Sequence, residues 1–220
     1  MHKPTAVLFD LDGTLLDSAP DFHYVINLML AIEKKPPISL AAIKHQVSNG
    51  ARAMISFAFD LEENQLGFDS YKNDFLNLYF IHLNKKSRLY QGVSELIHTL
   101  EKNQILWGIV TNKPERFTAP ILEHFQLKSR AAVIICPDHV KRAKPDPEAL
   151  YLACKKMSIA SHNCWYVGDH LRDIQAGAAA SMRTIGCTYG YLNSSEDYAS
   201  WGADSIIDHP LQLIDLLQKN

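Results

Sequence analysis

Ala6-Val7-Leu8-Phe9-Asp10-Leu11-Asp12-Gly13-Thr14 is the stretch that decides the fold. A short apolar β-type run stops at two carboxylates set two residues apart and followed by a Gly-Thr turn, which is how strands of open α/β sheets deliver their chemistry. In an extended segment residues two apart point to the same side. Asp10 and Asp12 are therefore expected to crowd one small volume and to repel unless a cation or a shared proton intervenes. A carboxylate beside Mg²⁺ can act as a nucleophile toward phosphorus, and a second that keeps its proton can protonate a leaving oxygen. The ordinary alternative is a strand-end turn, since Asp and Gly are common turn residues.

Downstream of this turn the pattern is helical. Phe22, Val25, Ile26, Met29 and Leu30 recur at helical spacing after Asp17 or Ser18 as a cap, and Pro36-Pro37 closes the segment. Ser39 opens a second helix through Ile43 and Val47, a third carries Phe57 and Phe59, and a fourth runs from about Phe68 to about Asn84. From Tyr90 on, helix and strand alternate: strands at Ile105 to Val110, Ala131 to Cys136, Cys164 to Val167, Thr184 to Thr188 and Ser205 to Ile207 are separated by helical segments. Such alternation implies βαβ units and a parallel sheet. The expected fold class is α/β, a Rossmann-like open parallel sheet flanked by helices, with an inserted all-helical cap. The core takes residues 1–17 and 87–220, and the cap residues 18–86.

Three strand ends in the sheet region carry candidate chemistry. Thr111-Asn112-Lys113-Pro114 presents a hydroxyl and backbone N–H groups that can hold a phosphoryl oxygen, although Thr-Asn before a helix is also a usual cap. Lys144, in Arg142-Ala143-Lys144-Pro145-Asp146-Pro147, can steady a charged nucleophile; the alternative is a solvated basic loop with Lys141 and Arg142. Gly168-Asp169-His170-Leu171-Arg172-Asp173 sets two carboxylates one helical turn apart, suited to Mg²⁺, or else a helix cap and a surface charge. In the cap, Asn49-Gly50-Ala51-Arg52 lies between two helices, where Arg52 can grip an anion bidentately or simply be an exposed arginine.

Asp10-Leu11-Asp12-Gly13-Thr14-Leu15 resembles the first motif of the haloacid dehalogenase-like (HAD) superfamily, and the three strand-end segments resemble its second, third and fourth motifs in order. The resemblance implies a HAD-like core, an aspartyl-phosphate mechanism with Asp10 as nucleophile and Asp12 as general acid/base, a phosphoryl contact from Thr111, and the cation of Lys144. It implies Mg²⁺ as cofactor, with Asp10, Asp12, Asp169 and Asp173 as the metal set, Asp173 either as a ligand or holding a metal-bound water. His170 stands where many relatives carry a second Asp. Asn49, Arg52 and Asn112 are the expected substrate-binding residues. The general pattern is similar to the phosphoglycolate phosphatase group. Ser48 to Met54, Trp107 to Pro114, Ile135 to Val140 and Trp201 to Asp204 look more like the N-acetylmuramic acid 6-phosphate phosphatases of cell-wall recycling. A small phosphorylated metabolite is thus the expected partner. A sugar phosphomutase, or a catalytically dead binding module, is the competing reading, while a dehalogenase is disfavoured by Asp12.

Composition narrows the field. Twenty-two basic against twenty-four acidic residues leave a net charge of −2, without the excess that a nucleic-acid binder carries. The ten histidines show no short metal-ligand spacing. Cys136, Cys154, Cys164 and Cys187 form no CxxC pair and sit mostly in apolar runs, as reduced core thiols do. No apolar run approaches the roughly 20 residues of a membrane span. The expectation is a cytoplasmic protein, a monomer or weak homodimer.

Overall fold

The apolar run Ala6–Phe9 is strand β1, and in the computed structural model, which describes residues 3–191 and 198–218, all four of its residues are buried. A strand inside a parallel sheet is covered on both faces, which is why this run shows no polar alternation. Ala6 and Leu8 join a cluster with Val110, Ile135, Leu150, Tyr166 and Ala176, and the pleat turns Val7 and Phe9 to the opposite side. Burying each Val, Leu or Phe of this kind contributes about 1.5–3 kcal/mol.

After β1 come β2 (Leu16–Asp17) and helices α1 (Ala19–Ile32), α2 (Leu40–Val47), α3 (Gly50–Phe59) and α4 (Phe68–Ile81). From β3 (Arg88–Leu89) the chain runs α5 (Val93–Lys102), β4 (Leu106–Val110), α6 (Glu115–His124), β5 (Val133–Ile135), α7 (Glu148–Met157) and β6 (Cys164–Gly168). It closes with α8 (Leu171–Ala179), β7 (Arg183–Cys187), β8 (Ser205–Ile207) and α9 (Gln212–Gln218). Six strands form one sheet in the order β5-β4-β1-β6-β7-β8, each pair parallel. The chain steps from β1 out to β4 and β5, then returns to β6 and continues outward on the other side. That reversal opens a crevice at the carboxyl ends of β1 and β6, where open α/β sheets bind ligands. Phe9 stands opposite both Ile109 and Val167, so the residues that follow β1, β4 and β6 emerge at nearly the same level.

The chain divides into two compact units, Met1–Leu16 with Leu89–Asn220, which holds the sheet, and Asp17–Arg88. β2 and β3 pair as a two-stranded ribbon where the chain passes between them. In the second unit the apolar stripes of the four helices supply Phe22, Ile26, Ile43, Met54, Phe68, Phe75 and Tyr79 as its core, with the Phe22 and Tyr79 rings stacked at 4.2 Å. Asp21 is fully buried there and accepts hydrogen bonds from the N–H groups of Asn84 and Lys86 and from the Ser87 hydroxyl, tying the start of α1 to the segment that leaves α4.

Two local expectations are corrected. Ser18 occupies the cap position of α1 without a capping side-chain bond; Pro20 has no N–H to donate to it, and the Asp21 N–H donates to the Ser18 carbonyl. The helix expected to run to about Asn84 stops at Ile81; the Asn84 backbone φ of +65° lies outside the helical region. Ser39 does cap α2, its hydroxyl accepting the Ala42 N–H at 3.2 Å.

Candidate active site

The site begins where β1 ends. Asp10 follows Phe9 and still donates its backbone N–H to Val167, so its side chain is delivered at the mouth of the crevice between β1 and β6. From β6 the chain reaches Asp169 directly and, through the first turn of α8, Asp173. One oxygen of each of Asp10, Asp169 and Asp173 lies within 4.8 Å of the others. Glycines make this approach possible. A Cβ on Gly13, whose φ is +84°, would fall 2.0 Å from Asp169 Oδ2, and one on Gly190 would fall 2.4 Å from Asp169 Cβ.

Lys144 is the cation of this cluster. Its side chain is 1% exposed, with Nζ 2.7 Å from Asp173 Oδ1, 3.0 Å from Asp10 Oδ1, and donating to the Val110 carbonyl and the Tyr166 hydroxyl. Burial alone would lower the Lys144 pKa, but Asp10 and Asp173 more than reverse that, and the ammonium is held above the usual lysine value. Burial, followed by Asp173 and Asp10, pushes Asp169 well above the usual carboxylate range against the Tyr191 N–H and Lys144. Burial also raises Asp173, with Lys144 opposing it.

Three carboxylates against one ammonium leave two charges unbalanced, the deficit that a divalent cation fills. Asp10 Oδ1 fits that reading: it is buried and, despite the nearby Lys144, accepts no hydrogen bond of good geometry. All three donors are hard oxygens of the kind Mg²⁺ takes. The Asp12 carboxylate, expected in the metal set, is not one of these three. It pairs with Lys113, whose Nζ is 2.9 Å from Oδ2 and 3.2 Å from Oδ1. β1 ends at Phe9, and Asp12 belongs to a turn that bridges to Leu16.

At the end of β4, Thr111 is buried and its hydroxyl oxygen accepts the Lys113 N–H at 3.2 Å, which leaves the hydroxyl proton for donation. Thr111 is not the cap of α6; Pro114 holds that place. Asn112, expected to touch substrate, clasps the Lys144 backbone on both sides, accepting from its N–H at 3.1 Å and donating to its carbonyl at 3.0 Å.

A family model described as haloacid dehalogenase-like hydrolase matches residues 7–187, which takes in the three carboxylates, Asp12, Thr111 and both lysines. The chain belongs to the haloacid dehalogenase-like hydrolases. It is 46% identical over 208 residues to an N-acetylmuramic acid 6-phosphate phosphatase of Pseudomonas putida, covering 94% of this chain and 93% of the relative. It is 40% identical over 213 residues to a phosphoglycolate phosphatase of Xanthomonas campestris pv. campestris, covering 97% and 96%. The crystal structure of a predicted phosphoglycolate phosphatase from Haemophilus somnus superposes with a TM-score of 0.86 at 30% identity, covering 98% of this chain and 99% of that one. The protein is a phosphatase of this family.

Around the carboxylates, this HAD hydrolase spends His170 on structure. Its Nδ1 accepts from the Arg172 backbone and guanidinium, and its own N–H donates to Asp173 Oδ2, so His170 and Asp173 together cap α8. Burial, then the Arg172 charge, lowers its pKa to about 4, so the ring is neutral at neutral pH. In the helical unit Asn49 precedes α3 in the cap position, without a capping side-chain bond. Arg52 pairs with Glu63 at 2.7 Å, both side chains about half exposed, and its guanidinium lies 5.9 Å from the Phe68 ring centre. Two residues escaped the sequence reading. Tyr166 looked like one more apolar strand residue, yet its hydroxyl binds Lys144 and Asp173. Lys113 stood within Thr111-Asn112-Lys113-Pro114 without a role of its own, yet it is buried and pairs with Asp12.

Proposed function

We propose that this phosphatase hydrolyses N-acetylmuramic acid 6-phosphate with Mg²⁺ as cofactor, acting in the cytoplasm as a monomer or weak homodimer. The observation that carries the chemistry is the buried Asp10, Asp169 and Asp173 group with Lys144 between Asp10 and Asp173. Asp10, Asp169 and Asp173 would hold the Mg²⁺, which when bound supplies the positive charge that draws a phosphate ester into an acidic site. Asp10 attacks phosphorus, the ester oxygen leaves with a proton from Asp12, and Asp12 then takes a proton from the water that releases phosphate from Asp10. Thr111 donates its hydroxyl to a phosphoryl oxygen, and Lys144 keeps the Asp10 oxygen in line while balancing the charge it shares. Asn112 serves by fixing the Lys144 backbone.

The substrate assignment is supported by the 46% identity to the Pseudomonas putida phosphatase over nearly the full length of both chains. N-acetylmuramic acid 6-phosphate carries a lactyl carboxylate, which Arg52 can bind, and an acetamido group, which Asn49 can bind. The 40% identical Xanthomonas relative favours 2-phosphoglycolate as the second reading, and that substrate is also a carboxylate. Phosphate release from both esters, with Mg²⁺ present and chelated, separates the readings. The proposal expects a higher kcat/KM on the amino-sugar phosphate and no release in chelator. A preference for phosphoglycolate overturns the substrate, and full activity in chelator overturns the metal.

A further inference from the structure

We propose that Lys113 is a positioning residue for the phosphatase reaction: its ammonium holds the Asp12 carboxyl in the orientation from which the leaving oxygen is protonated. The inference rests on the reading of Asp12 as proton donor given above. Its own observation is the pairing of each of the two aspartates with a different buried lysine, Asp10 with Lys144 and Asp12 with Lys113.

Asp12 needs such a partner. It stands past the end of β1, so the sheet no longer sets the direction of its side chain, and that side chain is 19% exposed while the Lys113 side chain is 4% exposed. The lysine is the fixed member. Its N–H donates to Thr111 Oγ1, its carbonyl accepts from the buried Thr118 hydroxyl in α6 at 3.1 Å, and Pro114 follows with φ at −57°. The ammonium then reaches both carboxylate oxygens, at 2.9 and 3.2 Å. Thr111, Asn112 and Lys113 thereby act as one segment, in which Thr111 faces the phosphoryl group, Asn112 fixes Lys144 behind the nucleophile, and Lys113 fixes the acid.

The anchor suits both halves of the reaction. In the first, the bond between phosphorus and the ester oxygen breaks, a bond from Asp10 to phosphorus forms, and the Asp12 proton goes to the departing oxygen. A protonated carboxyl keeps a carbonyl oxygen that accepts from Lys113, and the carboxylate left behind accepts with either oxygen. In the second, water forms the new bond to phosphorus, the bond to Asp10 breaks, and Asp12 recovers a proton from that water.

A misdirected acid hurts most where the leaving group most needs a proton, so the readout is kcat/KM across phosphate esters of rising leaving-group basicity. Lys113→Met is expected to lose about 10- to 100-fold on sugar phosphates and less than about threefold on 4-nitrophenyl phosphate. Lys113→Arg, which keeps a cation, is expected to lose less and to retain the wild-type dependence on leaving group. Combined with Asp12→Asn, Lys113→Met should add less than about twofold, because residues acting as a unit are not additive. Melting curves establish that each variant is folded; if Lys113→Met is not, Lys113→Gln takes its place. A loss equal on every ester, or one that multiplies with Asp12→Asn, overturns the role of Lys113. Asp12→Asn measured alone separates the two readings: a steep leaving-group dependence there with a flat one for Lys113→Met removes only the lysine. A flat one for Asp12→Asn removes the acid and this proposal with it.

Discussion

Asp169 is a buried carboxyl whose pKa is pushed well above the usual carboxylate range, by burial first and then by Asp173 and Asp10. A carboxyl whose pKa is raised in the fold binds its proton more tightly there than in the unfolded chain. The metal-free fold therefore loses stability as pH rises from the unfolded value near about 3.9 toward the raised one. Asp169→Asn removes that ionisation, and at pH 7 the metal-free variant is expected to melt above the metal-free wild type. Mg²⁺ at about 100 times its dissociation constant should stabilise the wild type by about 2.7 kcal/mol and the variant hardly at all. Calorimetry with and without Mg²⁺ checks both signs; a metal-free variant that melts lower contradicts the raised Asp169 pKa that burial and the neighbouring carboxylates produce. Asp10→Asn differs, because its loss is chemical. The amide cannot attack phosphorus, so phosphate release should fall by at least about 10⁴-fold with the circular dichroism unchanged, and near-normal single-turnover release would remove Asp10 as nucleophile.

Elements place these residues, and the sequence revealed the elements unevenly. Asp10, Thr111 and Asp169 were legible because each closes an apolar run long enough to read as a strand, and the ends of β1, β4 and β6 lie in register. Asp12 lies past the last residue of β1, where a strand rule no longer sets the direction of its side chain. The β2 and β3 ribbon has two residues per strand, too few to show any period. Asn112 looked like a substrate contact because a polar residue at a strand end faces the crevice by default. Nothing in the local sequence says that a loop thirty-two residues on will return to occupy its amide. The consequence is testable at the level of that loop. Asn112→Ala frees the Lys144 segment from two hydrogen bonds, each worth about 1 kcal/mol, so the variant should fold with a modest drop in melting temperature. Its kcat should fall about 10- to 100-fold while KM stays within about threefold, since the lysine it positions acts on the reacting group. A large rise in KM with kcat unchanged would return Asn112 to substrate binding.

For the molecule as a whole, the division of the chain also divides the work. Every member of the carboxylate cluster, and both lysines, comes from the unit Met1–Leu16 with Leu89–Asn220, so the phosphoryl chemistry proposed above draws on no residue of Asp17–Arg88. Choice among phosphate esters is then the natural task of the helical unit, and Arg52 is its candidate. Its ion pair with Glu63 joins two side chains that are 52% and 56% exposed, and pairs of that kind contribute only about 0–1 kcal/mol. The guanidinium can exchange Glu63 for a substrate carboxylate at little cost, and its loss should leave the fold untouched. Arg52→Ala is therefore expected to keep the melting temperature while lowering kcat/KM about 10- to 100-fold on N-acetylmuramic acid 6-phosphate and on phosphoglycolate, both of which carry a carboxylate. On a phosphate ester with no second anion the loss should be under about threefold. An equal loss on all three would mean that Arg52 acts on the common phosphate, and no loss on any would leave it an exposed arginine paired with Glu63.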